Sequence, residues 1–303
     1  MNREKYFDCL FESLEELQLI PPVDSSWRLK LESAFRKAKV EPTLLSKLKE
    51  EYGTAFLNVI LVNCQKNYLL CRQFSVNVNR KLFHAALSFT LLGCVLDFML
   101  DSGNDDLRNK AREKLSEDYC AYYFVNFGKA KNDTTEDYLF EKISQGLYEI
   151  RSNNNEKYIR IINMIKNAAE SEVYVLKENC TDENIVCKSL EFTRISSEIL
   201  LSETHLTDSD RELIDSIGYS FALIDDLCDC FEDETIGQAN LVNRIGGTDE
   251  SRTVNCMCEK LGHHIDLIKT RAIPQLYNFI FNELSEWTLS CVDLRLRIWR
   301  KYG

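Results

Sequence analysis

Apolar residues along this chain recur every three or four positions, the period of a helix rather than the alternation of a strand. Leu44 and Leu48 follow that spacing, and so do Leu57, Ile60, Leu61 and Cys64. The opening run MNREKYFDCLFESLEELQLI threads acids through an apolar stripe and predicts an amphipathic first helix. Proline occurs only at positions 21, 22, 42 and 274, so residues 43–273 hold none. That stretch is rich in Leu, Ile, Glu and Lys, which favours long uninterrupted helices. Breaks are expected at Pro21-Pro22, at 101–106, at 131–135, at 180–183 and at Gly246-Gly247. The clearest loop is the polar run 151–156, RSNNNE, ahead of a helix beginning near Lys157. Thr207-Asp208-Ser209-Asp210 before Arg211-Glu212-Leu213 reads as a capped helix start. No break is long enough to be a linker, and neither a repeat nor a low-complexity tract stands out. Residues 1–303 are therefore expected to form one all-α domain, a bundle of antiparallel helices.

Composition agrees with that picture and narrows the function. Hydrophobic residues make up 45% of the chain, enough for a sizeable core, and 11 glycines are too few for a turn-rich β-fold. A net charge of −11 argues against nucleic-acid binding, which needs a basic surface. It leaves room for a small anionic substrate, because bound cations reverse the local sign of an acidic site. No run approaches 18 consecutive apolar residues, so no membrane span is expected, and the N-terminal run lacks the apolar segment of a signal peptide. A cytoplasmic protein is the expectation, with most of its 12 cysteines acting as small buried hydrophobes. The pairs Cys228/Cys230 and Cys256/Cys258 lack the spacing of a zinc finger, and His263-His264 point to different helix faces.

Two segments carry the chemistry. LLGCVLDFMLDSGNDDLR ends an apolar helix in Asp97 and Asp101, and GYSFALIDDLCDCFED ends another in Asp225, Asp229 and Asp233. Carboxylates at i, i+4 and i+8 lie along one helical stripe, about one turn apart. Such like-charge pairs cost a helix roughly 0.2–0.5 kcal/mol each, and at a helix C-terminus they also oppose the macrodipole. An acidic, solvated helix end explains one such arrangement more simply than two. Rows of oxygen ligands suit Mg²⁺, which takes carboxylates, water and substrate phosphate. Upstream, the same stripes are apolar: Phe89 and Gly93 precede Asp97, and Ile217 and Phe221 precede Asp225. Two greasy walls ending in metal-binding rims would enclose a deep apolar pocket for a molecule with a hydrocarbon tail and a diphosphate head.

These residues resemble the class I isoprenoid synthases, over roughly residues 80 to 245. SIGYSFALIDDLCD (216–229) is similar to the second Asp-rich motif of trans-polyprenyl diphosphate synthases, and Asp97-Phe98-Met99-Leu100-Asp101 to their first. Phe192-Thr193-Arg194 resembles the segment where that family carries a diphosphate-binding lysine, here Arg194, whose forked guanidinium suits phosphate oxygens. The run from Phe192 to Asp233 is also similar to bacterial large-terpene synthases, and Asp225/Asp229/Asp233 has the ligand spacing of the second metal motif of terpene cyclases. Arg300-Lys301-Tyr302 resembles their Arg-Tyr pair, and a charged tail on an amphipathic last helix accounts for it equally well.

The chain departs from the elongating synthases in several places. Phe98 stands where the first motif has its second Asp, and Arg108-Asn109 replaces an Arg-Arg pair. The basic Gly-Lys segments for a second substrate are not recognisable. The resemblance therefore implies a terpene synthase, a lyase that ionises one linear prenyl diphosphate. It implies three Mg²⁺ on Asp97, Asp101, Asp225, Asp229 and Asp233, with Asp97, Asp101, Asp225, Asp229 and Arg194 catalytic. Arg194, Arg108, Arg244, Lys301 and Tyr302 would hold the diphosphate. Phe89, Gly93, Phe98, Phe192, Ile217, Tyr219 and Phe221 would line the pocket, the aromatic faces each attracting a cation by about 0.5–2 kcal/mol. The alternatives are a chain-elongating prenyl diphosphate synthase, a head-to-head synthase, and a helical binding or regulatory protein without turnover. Oligomeric state stays open, a homodimer included.

Overall fold

The computed structural model describes residues 1–20, 53–101, 104–129, 134–175, 182–245 and 249–302. Among the described residues the chain is all-α, with thirteen helices and no strand. In chain order they are α1 (Arg3–Glu16), α2 (Gly53–Gln73), α3 (Arg80–Asp101), α4 (Asp105–Lys114), α5 (Glu117–Phe124) and α6 (Thr135–Asn153). Then come α7 (Asn155–Val175), α8 (Asp182–Leu200), α9 (Asp208–Ile236), α10 (Leu241–Ile245), α11 (Glu250–Arg271), α12 (Pro274–Thr288) and α13 (Val292–Tyr302). The breaks expected at Pro21-Pro22, 131–133, 180–181 and Gly246-Gly247, and the Leu44/Leu48 spacing, lie outside the described residues.

The chain forms two compact units, one from residues 58–218 and one from 1–57 with 219–303. Both divisions fall inside helices, α2 and α9, so no linker marks them. A reading that looks for linkers finds one domain.

In the unit of residues 58–218, α3 packs against α6 and α8, α6 and α8 both flank α7, and α5 lies on α6. Ala85 of α3 and Gly146 of α6 bring the two backbones together; a Cβ at Gly146 would stand 2.3 Å from that of Ala85. Residues Arg80–Leu100 of α3 are long and apolar enough to cross a membrane, the one such helix among those described, with 67% of that window buried in the protein. A helix at the centre of a bundle has the same composition, since its neighbours cover it on most sides.

Side-chain caps set the helix ends. The RSNNNE loop shrinks to one residue: α6 runs on to Asn153, and Asn154 both donates to Ile150 O at 2.7 Å and accepts from Lys157 N at 3.0 Å. Thr207 Oγ1 accepts from Asp210 N at 3.2 Å while Asp210 Oδ2 accepts from Thr207 N at 2.8 Å, a reciprocal cap at the start of α9. Buried ion pairs fix helix against helix. Lys114 Nζ donates to Asp137 Oδ1 at 2.6 Å, and the Tyr119 hydroxyl donates to the same oxygen. Glu198 on α8 gathers Arg160 at 2.5 Å, Arg211 at 3.4 Å and Lys157 at 3.7 Å.

The other unit sews the N-terminal helix to the C-terminal ones. The stripe Tyr6, Phe7, Leu10, Phe11 and Leu14 of α1 is buried, and α1 packs on α11 and α13. Tyr6 OH donates to Leu227 O at 2.9 Å. Buried Arg297 reaches Asp8 at 2.8 Å and Glu4 Oε2 at 2.9 Å, while Arg3 bridges Asp293 at 2.6 Å and Glu232 at 2.8 Å.

Candidate functional site

One half of the expected site lies on α3. Phe89, Leu92, Gly93, Leu96 and Asp97 fall at helical spacing on a single face, and all five line an internal cavity. Leu115, Cys120 and Phe124, Phe140, Ile165, Ala168, Ala169, and Phe192 of α8 close it. Asp97 is its one charged lining residue among the described residues, and Asp97 Oδ1 is fully buried. On this face an apolar wall ends in a carboxylate.

The cavity is narrow. Its volume is about 40 Å³. That is well below the roughly 150 Å³ in which an engineered apolar cavity holds benzene. Phe192 is the reason. Its ring lies on Gly93, where a Cβ would meet Phe192 Cε1 at 2.3 Å, and it tilts against Phe89 with centroids 5.7 Å apart. Phe89 and Phe192, two of the residues expected to line a deep pocket, line this cavity and narrow it. Phe98 is half-buried and outside the lining, and Asp101 closes α3 with its side chain outside what is described.

The expected acids of α9 lie in the other unit. Asp225, Asp229 and Asp233 are half-buried along one stripe. Trp287 of α12 donates through Nε1 to Asp225 Oδ1 at 3.2 Å, and its ring tilts against Phe221 at 5.6 Å. Asn240 Nδ2 donates to Asp233 Oδ2 at 2.8 Å and to Asp226 O at 3.0 Å, while Leu241 N donates to Asp226 Oδ2 at 3.2 Å. Tyr219 stacks on His264 with centroids 4.8 Å apart, and Ile217 is buried. Trp287 and Asn240 escape a sequence reading because each lies on a different element from the motif it touches.

The basic residues are mostly engaged. Arg194 forms a forked pair with Asp215, Nε to Oδ1 at 2.6 Å and Nη2 to Oδ2 at 2.8 Å, and Nη1 reaches Glu191 at 2.9 Å. The hydrogen bonds to Asp215 raise its pKa further, against the opposing effect of burial. Arg108 Nε caps the end of α3 through Leu100 O at 3.1 Å. Lys301 Nζ sits 2.6 Å from Glu15 Oε2, and Tyr302 OH donates to the same carboxylate. Arg244 is exposed near the end of α10.

Among the described residues no three His, Cys, Asp or Glu side chains converge as a metal group. Carboxylates one turn apart have Cβ atoms about 5–6 Å apart, so a phosphate oxygen has to complete any shared shell. The donor set, all carboxylate oxygen, fits Mg²⁺ in kind. Cys228, Cys230 and Cys258 are buried, and no cysteine among the described residues is in a disulfide. Fold and site together define an all-α protein with a narrow apolar cavity under one carboxylate and a carboxylate stripe on a second helix. No protein family, characterised protein or solved structure matches the chain.

Proposed function

We propose that this chain is a class I terpene synthase that ionises a linear prenyl diphosphate. The observation that carries the reading is Asp97, among the described residues the single charged one in the wall of an otherwise apolar cavity, on the face of α3 shared with Phe89 and Gly93. Asp97, Asp101, Asp225, Asp229 and Asp233 would hold Mg²⁺, which supplies Lewis-acid stabilisation to the leaving diphosphate. The allylic C–O bond breaks heterolytically, and the diphosphate departs with the electron pair. An allylic cation remains, and losing a proton to the released diphosphate turns it into a hydrocarbon. Leu92, Leu96 and Phe140 keep water away from that cation, and the rings of Phe89 and Phe192 face it. Arg194 would serve the diphosphate only by exchanging Asp215 for phosphate oxygens.

A second reading, a helical protein that binds a prenyl chain without turnover, is favoured by the engagement of Arg194, Lys301 and Tyr302 with carboxylates. One incubation separates the readings. The purified chain is given geranyl, farnesyl or geranylgeranyl diphosphate with Mg²⁺, with and without isopentenyl diphosphate. Hydrocarbon or alcohol products without isopentenyl diphosphate are the expected result. Longer diphosphates formed only in its presence would make the chain an elongase, and binding without consumption would make it a carrier.

A further inference from the structure

The cavity under Asp97 is too small for any prenyl chain, yet a larger space adjoins it. A groove of about 380 Å³ runs between α5 and α7. This falls within the roughly 300–1,000 Å³ of small-molecule sites. Leu115, Cys120, Phe124, Ile165 and Ala169 line both the groove and the cavity, so one layer of side chains separates them. On the outer side Ala121, Val125 and Ile162 continue the apolar floor. Glu117 and Lys166, paired at 2.7 Å, span its rim. The polarity therefore runs in one direction: a carboxylate at the inner end, a largely apolar middle, and exposed Asn163 and Glu170 with the Glu117–Lys166 pair where the groove meets solvent.

Resting on the prenyl-diphosphate reading, we infer that cavity and groove form one channel, in which a prenyl chain lies with its head towards Asp97 and its tail in the α5–α7 groove. The partition at Cys120 and Phe124 parts to admit it. A short chain reaches little beyond the partition, whereas a long one extends along the groove, so the natural ligand is a long prenyl chain of about twenty carbons or more. The volumes decide this: the inner space is about a tenth of the outer one, and almost all room for a tail lies beyond the partition.

Equilibrium binding of tritiated geraniol, farnesol and geranylgeraniol to the full chain in Mg²⁺-free buffer tests this. The alcohols lack a diphosphate, so the result is independent of whether the chain ionises anything. Geranylgeraniol is expected to bind at least tenfold more tightly than geraniol. Ala121→Trp and Ile162→Trp, both confined to the outer groove, should each weaken geranylgeraniol at least tenfold and leave geraniol within twofold. Thermal melts of both variants check that they fold, and Phe124→Ala, which thins the partition, should tighten geranylgeraniol. Equal effects on all three alcohols, no effect of either tryptophan in folded protein, or no binding to the wild-type chain would overturn the channel. Tighter binding of oleate than of geranylgeraniol would overturn the prenyl assignment of the groove. Binding of the alcohols with no consumption of any diphosphate in the incubation above would keep the channel and remove the ionisation reading.

Discussion

Single residues in this protein often hold polar groups where the surroundings give little in return. Lys66 is 8% exposed, without an acidic partner among the described residues, and burial lowers its amine from the usual 10.5 to about 8. Its neighbour Asn67 is 1% exposed, with neither amide atom hydrogen-bonded among the described residues. The unfolded chain binds more protons than the folded one between pH 8 and 10.5, so stability rises with pH across that window. Below pH 8 the lysine is charged in both states and the penalty is complete. Lys66→Met is therefore expected to raise stability at pH 7 by roughly 2–3 kcal/mol and to flatten the rise towards pH 10.5. Urea midpoints across that range check it, and a lower midpoint at pH 7 would show that Lys66 has a favourable partner. At the same scale the guanidinium of Arg194 was legible as a forked, charged donor. Its fork to Asp215, 21 positions away, was not, because the pairing exists only once α8 and α9 pack.

At the scale of elements, periodicity foretold the helices well, and the errors fell at their ends. The polar run 151–156 is helical on both sides of Asn154, which caps the end of α6 through Ile150 O and the start of α7 through Lys157 N. What no single helix discloses is its partner. Gly146 looks like an ordinary helix-weakening glycine, and Ala in its place would gain roughly 1 kcal/mol of propensity. Packing reverses that sign. The new Cβ would fall 2.3 Å from Ala85 Cβ, on a helix interior that cannot turn aside as a flexible side chain can. Overpacking of this kind costs about 1–3 kcal/mol. Gly146→Ala is expected to lower the urea-unfolding free energy by up to about 2 kcal/mol net. The double variant Ala85→Gly/Gly146→Ala should recover part of the loss. A stabilised single variant would mean that α3 and α6 separate at little cost.

On the whole-molecule scale, the proposed chemistry requires the acids of α3 and of α9 to act on one diphosphate. Asp97→Ala and Asp225→Ala are each expected to lower turnover at least a hundredfold in the incubation assay, and EDTA should abolish it in the unaltered chain. Full activity in both variants would remove the metal assignment. Melting curves of the variants separate this from misfolding, because each carboxylate sits at a helix position that Ala also favours. By itself the sequence determined that the chain is helical, that an apolar stripe on α3 ends in Asp97, and that a similar stripe on α9 ends in three acids. Those are properties of spacing along one helix, which local geometry fixes before any packing occurs. Tertiary structure alone decided that the chain forms two compact units divided inside helices, since packing draws that boundary and no change of composition marks it. It also decided that Phe192 fills the space Gly93 leaves, and that the larger apolar volume lies beyond Cys120 and Phe124. A cavity is the gap left between side chains of several helices, so its size and its opening follow from their relative placement and appear in no one segment of the chain.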